Sequence, residues 1–163
     1  MHLYVDGGII GRNPSVIGGT WAFVAVSGGG PIHEASGVVR PADVKLPVVT
    51  NNITELLAVT EALEWAAKPK ENLHVGSVIV FTDSFVTLCR LTRAKTKWGG
   101  VPHSIRDRFL AARRAIPVVK GMLVEGHPTK EQLRVGMGPN GPASPYNVRC
   151  DQLCNLAKKG VTS

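Results

Sequence analysis

Residues 50–59 read TNNITELLAV, and the place of the acid in this stretch decides how the chain is organised. The apolar spacing that runs on from it predicts a helix from about Asn52 to just before Pro69. At about 100° per residue, Val59, Ala62, Leu63 and Ala66 fall within roughly 80° of Glu55. Glu55 therefore stands on the stripe that faces a core, whereas Glu64 falls on the opposite side, where a solvated acid belongs. Asn52 followed three residues later by Glu55 also fits a capping pair, in which the Glu side chain reaches back to a free amide. On this helix alone both readings stand: a cap, or an acid turned inward for chemistry.

Working outward, LYVD (3–6) predicts a strand and GGIIGRNPSVIGG (7–19) a loop. TWAFVAV (20–26) and IHEASGVV (32–39) predict two further strands about the turn SGGGP (27–31). Downstream of the helix, GSVIVFTD (76–83) lacks alternation, as expected of a strand buried on both faces. SFVTLCRLTR (84–93) and PHSIRDRFLAARRA (102–115) return to helical spacing, VVKGMLVEGH (118–127) predicts a last strand, and YNVRCDQLCNLAKK (146–159) a closing amphipathic helix. Gly136 to Pro145 holds three Gly and three Pro and is expected to be a flexible loop. The order β-β-β-α-β-α-α-β-α, a meander leading into β-α-β units, predicts an α/β fold with a mixed sheet and helices packed against it.

At 163 residues the chain is expected to form one domain, residues 1–163. A hydrophobic share of 44% excludes wholesale disorder, and no apolar run approaches the roughly 20 residues of a membrane span. MHLYVDGG has neither a charged n-region nor a long apolar h-region, so a cytoplasmic protein is expected. Cys89, Cys150 and Cys154 are odd in number and form no C-x-x-C pair, which points to packing residues rather than disulfides or zinc. The formal charge of +7 suits a polyanionic partner. Much of that excess lies in one third of the chain, with Arg90, Arg93, Lys95 and Lys97 before Trp98, and Arg106, Arg108, Arg113 and Arg114 after it.

Four acids stand at element ends: Asp6 closing a strand, Glu55 opening a helix, Asp83 closing a strand and Asp151 opening the last helix. Each has an ordinary reading, as a turn, a cap or a complement to a helix dipole. Taken together, such acids can converge at one end of a sheet, where they would repel one another unless cations fill the cluster. Oxygen ligands select hard divalent ions, Mg²⁺ or Mn²⁺. Two such ions about 4 Å apart suit phosphodiester hydrolysis, and a basic protein would hold the polyanion around them.

These words resemble, in order and over nearly the whole chain, the ribonuclease H family, type 1. YVDGG with GRNPS resembles its first strand and DG…GNPG loop, and TNNITELLAV resembles TNNxxEL-A. VFTDS resembles the strand-end TDS, VEGH resembles V-x-G-H, and NVRCDQLCNLAK resembles N-x-x-C/A-D-x-L-A. The resemblance implies a ribonuclease H-like fold, a five-stranded mixed β-sheet flanked by α-helices. It implies endonucleolytic cleavage of the RNA strand of an RNA–DNA hybrid by two-metal-ion catalysis, leaving 3′-hydroxyl and 5′-phosphate ends. It makes Asp6, Glu55, Asp83 and Asp151 the ligands of Mg²⁺ or Mn²⁺, with two ions when substrate is bound. It makes His127 the histidine that assists proton transfer or product release, a task that suits the imidazole group in general. Asn13, Thr50, Asn51, Asn52 and Ser84 match nucleic-acid-contacting positions, and Trp98 lies where members carry aromatics near the DNA strand. A monomer acting on a hybrid, with no membrane, is the expectation.

The sequence departs from the family pattern in three places. Phe85 stands one position before the usual aromatic after TDS, the segment after Trp98 is short, and a long stretch separates His127 from Asp151. That stretch is expected to widen the rim of the site or act as a lid. The alternatives are a related nuclease acting on another nucleic acid, such as a DNA junction, and a non-catalytic hybrid-binding module.

Overall fold

The computed structural model describes residues 1–69, 75–93 and 95–162. Three strands open the chain: β1 (His2–Ile10), β2 (Gly18–Ser27) and β3 (Gly30–Val39). Then follow α1 (Asn51–Ala67), β4 (Ser77–Thr82), α2 (Phe85–Thr92), α3 (His103–Arg114) and β5 (Val118–Leu123). A short helix α4 (Lys130–Val135), a small hairpin of β6 (Met137–Gly138) and β7 (Gly141–Pro142), and α5 (Pro145–Thr162) complete the order. Among the described residues the main sheet has five strands in the order β3-β2-β1-β4-β5. The first three are antiparallel neighbours, and β4 pairs in parallel with both β1 and β5. This is the mixed sheet that the element order predicts.

Period-two alternation divides β1 between two cores. Leu3 and Val5 are fully buried in the larger core with Phe23, Val78 and Val80, covered by α1 and α3. Tyr4 joins Ala22, Val24 and Phe81 in the second core, which α5 closes with Cys150, Leu153 and Cys154. Both of these cysteines are therefore packing residues, each donating its S–H to a β1 carbonyl, Cys150 to Tyr4 and Cys154 to Asp6. Helix α1 packs on the sheet and on α3, which explains why eleven of its residues are buried and only a narrow edge meets solvent.

Several expectations need correction. Strand β1 does not stop at Asp6 but runs on through Gly7 and Gly8 to Ile10, pairing with Gly18–Ala22. The Asn52–Glu55 capping pair does not form, because the helix begins a residue earlier, with Thr50 at the N-cap, and Asn52 lies inside it. The stretch 136–145 is not a structureless loop. It folds into the β6–β7 hairpin behind α4, which Thr129 and Gln132 start with a reciprocal capping box. Helix α5 begins at Pro145, so Asp151 sits two turns inside it rather than at its opening. No helix among the described residues is long and apolar enough to cross a membrane.

Candidate active site

A glycine brings two of the acids together. A Cβ on Gly7 would lie 2.5 Å from the Glu55 backbone nitrogen and 2.6 Å from the Thr54 carbonyl carbon. Only a residue without a side chain lets the first turns of α1 rest directly on β1. That contact sets Glu55 beside Asp6. Asp83, one residue past β4, completes a trio whose carboxylate oxygens lie within 4.8 Å of one another.

Asp6 and Glu55 are 8% and 3% exposed, too little for water to solvate two charges. Burial, then Asp83 and Asp151, push the Asp6 carboxyl up to about 8. Burial, then Asp6 and Asp83, hold Glu55 well above the ordinary carboxylate range. Burial also raises Asp83, and His127 beside it opposes the rise. Two buried acids this close repel each other when both are ionised, which favours a proton on one of them. The Gly7 amide donates to Asp6 Oδ1 at 2.9 Å, whereas Glu55 Oε2 is buried without a hydrogen-bond partner. An all-oxygen set with an orphaned buried oxygen and displaced protonation fits a hard divalent cation.

The trio opens into a cleft of about 260 Å³ that Asn51, His127, Asp151 and Lys158 also line. Asp151 thus faces the same space without joining the compact trio, and its Oδ2 accepts from Asn155 Nδ2 at 3.2 Å. His127 is exposed at the rim. Its loop is tied to α5 by the buried Asn147, whose Nδ2 donates to the carbonyls of Glu125 at 3.3 Å and Gly126 at 3.0 Å. Asn147 and Lys158 were not singled out from sequence. For Asn147 the available signal was the leading Asn of N-x-x-C/A-D, and for Lys158 its place on α5 two turns after Asp151.

The polar residues around the cleft divide in two. Asn13 Oδ1 accepts from the Asn51 amide at 3.2 Å, so the first loop supplies the cap that Thr50 does not. Paired bonds of 2.8 Å between the backbones of Ser15 and Val49 hold that loop to the segment before α1. Asn13, Asn51 and Asn52 remain exposed and Thr50 half-buried. Ser84 caps α2, accepting from the Thr87 amide at 3.3 Å, so its hydroxyl has a structural task.

Trp98 is half-buried against Phe109, with ring centroids 5.6 Å apart and the guanidinium groups of Arg90 and Arg106 at 5.4 and 5.7 Å. It lines a second cleft, of about 400 Å³, with Arg90, Arg93, Arg113 and Arg114 and no acidic residue. Arg90 is 7% exposed, and its Nε and Nη1 have no hydrogen-bond partner. Arg108 is not free to grip a polyanion as its position in the basic run suggests, because Glu61 and Glu64 of α1 hold it at 2.7 Å each. Of the other histidines, His33 stacks on Trp65 at 4.7 Å and His2 meets Phe81 edge-on, both structural, while His74 lies outside the described residues.

No protein-family model and no curated protein matches the chain. Solved structures do. An RNase H1 from the halophilic archaeon Halobacterium salinarum NRC-1 is 24% identical, covers 98% of this chain and 97% of its own, and has a TM-score of 0.68. An N-terminal RNase H domain from Mycobacterium tuberculosis is 14% identical over 99% of this chain and 96% of its own, with a TM-score of 0.67. LC11-RNase H1, solved in complex with an RNA/DNA hybrid, is 20% identical over 99% of both chains, with a TM-score of 0.66. End-to-end coverage at these identities establishes architecture, and the architecture of this chain is the ribonuclease H fold.

Proposed function

We propose that this chain is a metal-dependent ribonuclease H of type 1 that hydrolyses the RNA strand of RNA–DNA hybrids. The observation that carries the reading is the close trio of Asp6, Glu55 and Asp83, the first two buried and raised in pKa, with one Glu55 carboxylate oxygen unpartnered. With Asp151 across the cleft, these residues would hold Mg²⁺ or Mn²⁺, two ions once substrate is seated. Bound ions of this kind stabilise negative charge on the phosphoryl oxygens and raise the acidity of water. To receive them, Asp6 and Glu55 would be ionised, a state that their burial opposes and nearby cations would favour. Water then attacks the phosphodiester in line and the P–O3′ bond breaks, leaving 3′-hydroxyl and 5′-phosphate ends. His127, exposed at the rim, offers an imidazole nitrogen to carry a proton to or from the reacting oxygens.

Substrate binding falls to the opposite sign of charge. Exposed Asn13, Asn51 and Asn52, with Thr50, provide short polar groups for the nucleic-acid backbone and 2′-hydroxyls, and Ser84 adds a hydroxyl beside Asp83. Trp98 and the arginine-lined cleft supply a face for stacking and for phosphate. A structural neighbour solved on an RNA/DNA hybrid supports this class of partner. The working unit is a single domain, residues 1–163, acting as a cytoplasmic monomer.

The substrate is tested by assaying labelled RNA–DNA hybrid, duplex RNA, duplex DNA and a four-way DNA junction side by side with Mg²⁺. Cleavage confined to the RNA strand of the hybrid is expected. Preferred cutting of the junction, or binding of hybrid without cutting any substrate, would overturn the reading.

A further inference from the structure

The segment between His127 and Asp151 is bonded to the base of the histidine loop. Glu125, two residues before His127, is held on every side. Its amide donates to the Pro142 carbonyl of β7 at 3.0 Å. Its carboxylate accepts from the Asn140 amide at 3.1 Å and from Asn140 Nδ2 at 3.1 and 3.3 Å. Its carbonyl accepts from Asn147 of α5. The hairpin turn is shaped for this grip, since a Cβ on Gly138 would lie 2.7 Å from Glu125 Oε2. The next residue, Gly126, lies so close against Asp83 that a Cβ there would collide with the Asp83 carboxylate.

The hairpin therefore reaches past its own strands to fix the residue from which the histidine loop departs. Three hydrogen bonds to one carboxylate, from the two donor nitrogens of Asn140, make a charge-assisted contact. We propose that Glu125 and Asn140 are positioning residues, a clamp through which the β6–β7 hairpin holds His127 over the carboxylate cleft. The role of His127 in this statement rests on the function proposed above. The clamp touches neither substrate nor cation. Its effect passes through the orientation of the imidazole, where small displacements cost rate more than binding.

The test combines kinetics with backbone dynamics. Hydrolysis of labelled hybrid with Mg²⁺ is measured for the wild type, Asn140→Ala, Glu125→Ala, Glu125→Gln, His127→Ala and the double variant His127→Ala/Asn140→Ala. Asn140→Ala and Glu125→Ala are expected to lower kcat about fivefold, a part of what a general acid–base group contributes, with KM and Tm nearly unchanged. Glu125→Gln, which keeps an acceptor oxygen, recovers most of the rate. In the His127→Ala background, Asn140→Ala has no further effect. The heteronuclear NOE of the His127 amide drops in the two Ala variants of the clamp. Wild-type kcat in those variants, an equal loss with His127 already removed, or an unchanged NOE would overturn the clamp. A wild type that cuts no hybrid overturns the proposed function instead, and the NOE then decides by itself whether the clamp orders the loop.

Discussion

Asp6 and Glu55 lie side by side at the contact of β1 with α1, and burial together with the neighbouring acids lifts both carboxyls above their ordinary range. The pair is almost wholly buried where it lines the cleft, α1 rests directly on Gly7, and Asp83 adds a third acid. A site built this way is poised for a cation.

The pair sets how the metal-free protein responds to pH. An acid raised on folding is protonated in the folded chain and ionised in the unfolded one, between the ordinary carboxylate value and, for Asp6, about 8. In that window the folded state binds more protons, so stability falls as pH rises. Melting in EDTA should give a Tm that declines from pH 4.5 to pH 8, and 10 mM Mn²⁺ should restore it at pH 8. Asp6→Asn removes the buried charge and should raise the metal-free Tm at pH 8 by about 5 °C. A flat profile, or one with the same slope in Asp6→Asn, would contradict the assignment.

The same substitution should separate stability from activity. Asp6→Asn and Asp83→Asn are each expected to lower hybrid cleavage by at least about 10³-fold, while hybrid affinity stays within a few fold. Single-turnover rates and fluorescence anisotropy on one labelled hybrid read the two quantities separately. Near-normal rates in either variant would remove the carboxylates from the mechanism.

Gly7 is the geometric condition for the trio. Gly7→Ala places a methyl against the Glu55 amide at 2.5 Å and the Thr54 carbonyl carbon at 2.6 Å, both backbone atoms. The helix must shift, at about 1–3 kcal/mol, and Glu55 moves away from Asp6. Thermal melting should show a loss of several degrees, with activity reduced even well below the new Tm. A fully active, equally stable Gly7→Ala would show that the close approach is not required.

The arginine-lined cleft predicts a salt signature. Arg93 and Arg114 line it, and replacing either by Ala should lower the slope of log K against log[salt] for hybrid binding by about 1. The kcat at saturating hybrid should stay unchanged. An unaltered slope would take the cleft out of the nucleic-acid interface.

The parts legible in the sequence are those set by local pattern. The apolar stripe of α1 put Glu55 on the core side but left a cap and an inward acid both open, whereas the unbroken run before Asp83 announced an interior strand. The closeness of Asp6 to Glu55 was not legible, because it depends on a tertiary approach at Gly7. Gly7 reads locally as a turn residue, which also explains why β1 was expected to stop short. In TKEQ (129–132), the Thr and Gln form the capping box of α4, a signal present in the sequence but masked by the glycines and prolines that follow. Arg108 looked like a nucleic-acid grip because its partners, Glu61 and Glu64, lie more than forty residues away on another helix. Charge runs read along a chain do not reveal which cations folding has already neutralised.

The most direct test is cleavage of an RNA–DNA hybrid labelled on both strands, with Mg²⁺ and with EDTA. The account predicts RNA-strand products ending in 3′-hydroxyl and 5′-phosphate with Mg²⁺, an intact DNA strand, and no cleavage in EDTA. Cleavage that persists in EDTA, or that cuts the DNA strand, would contradict it.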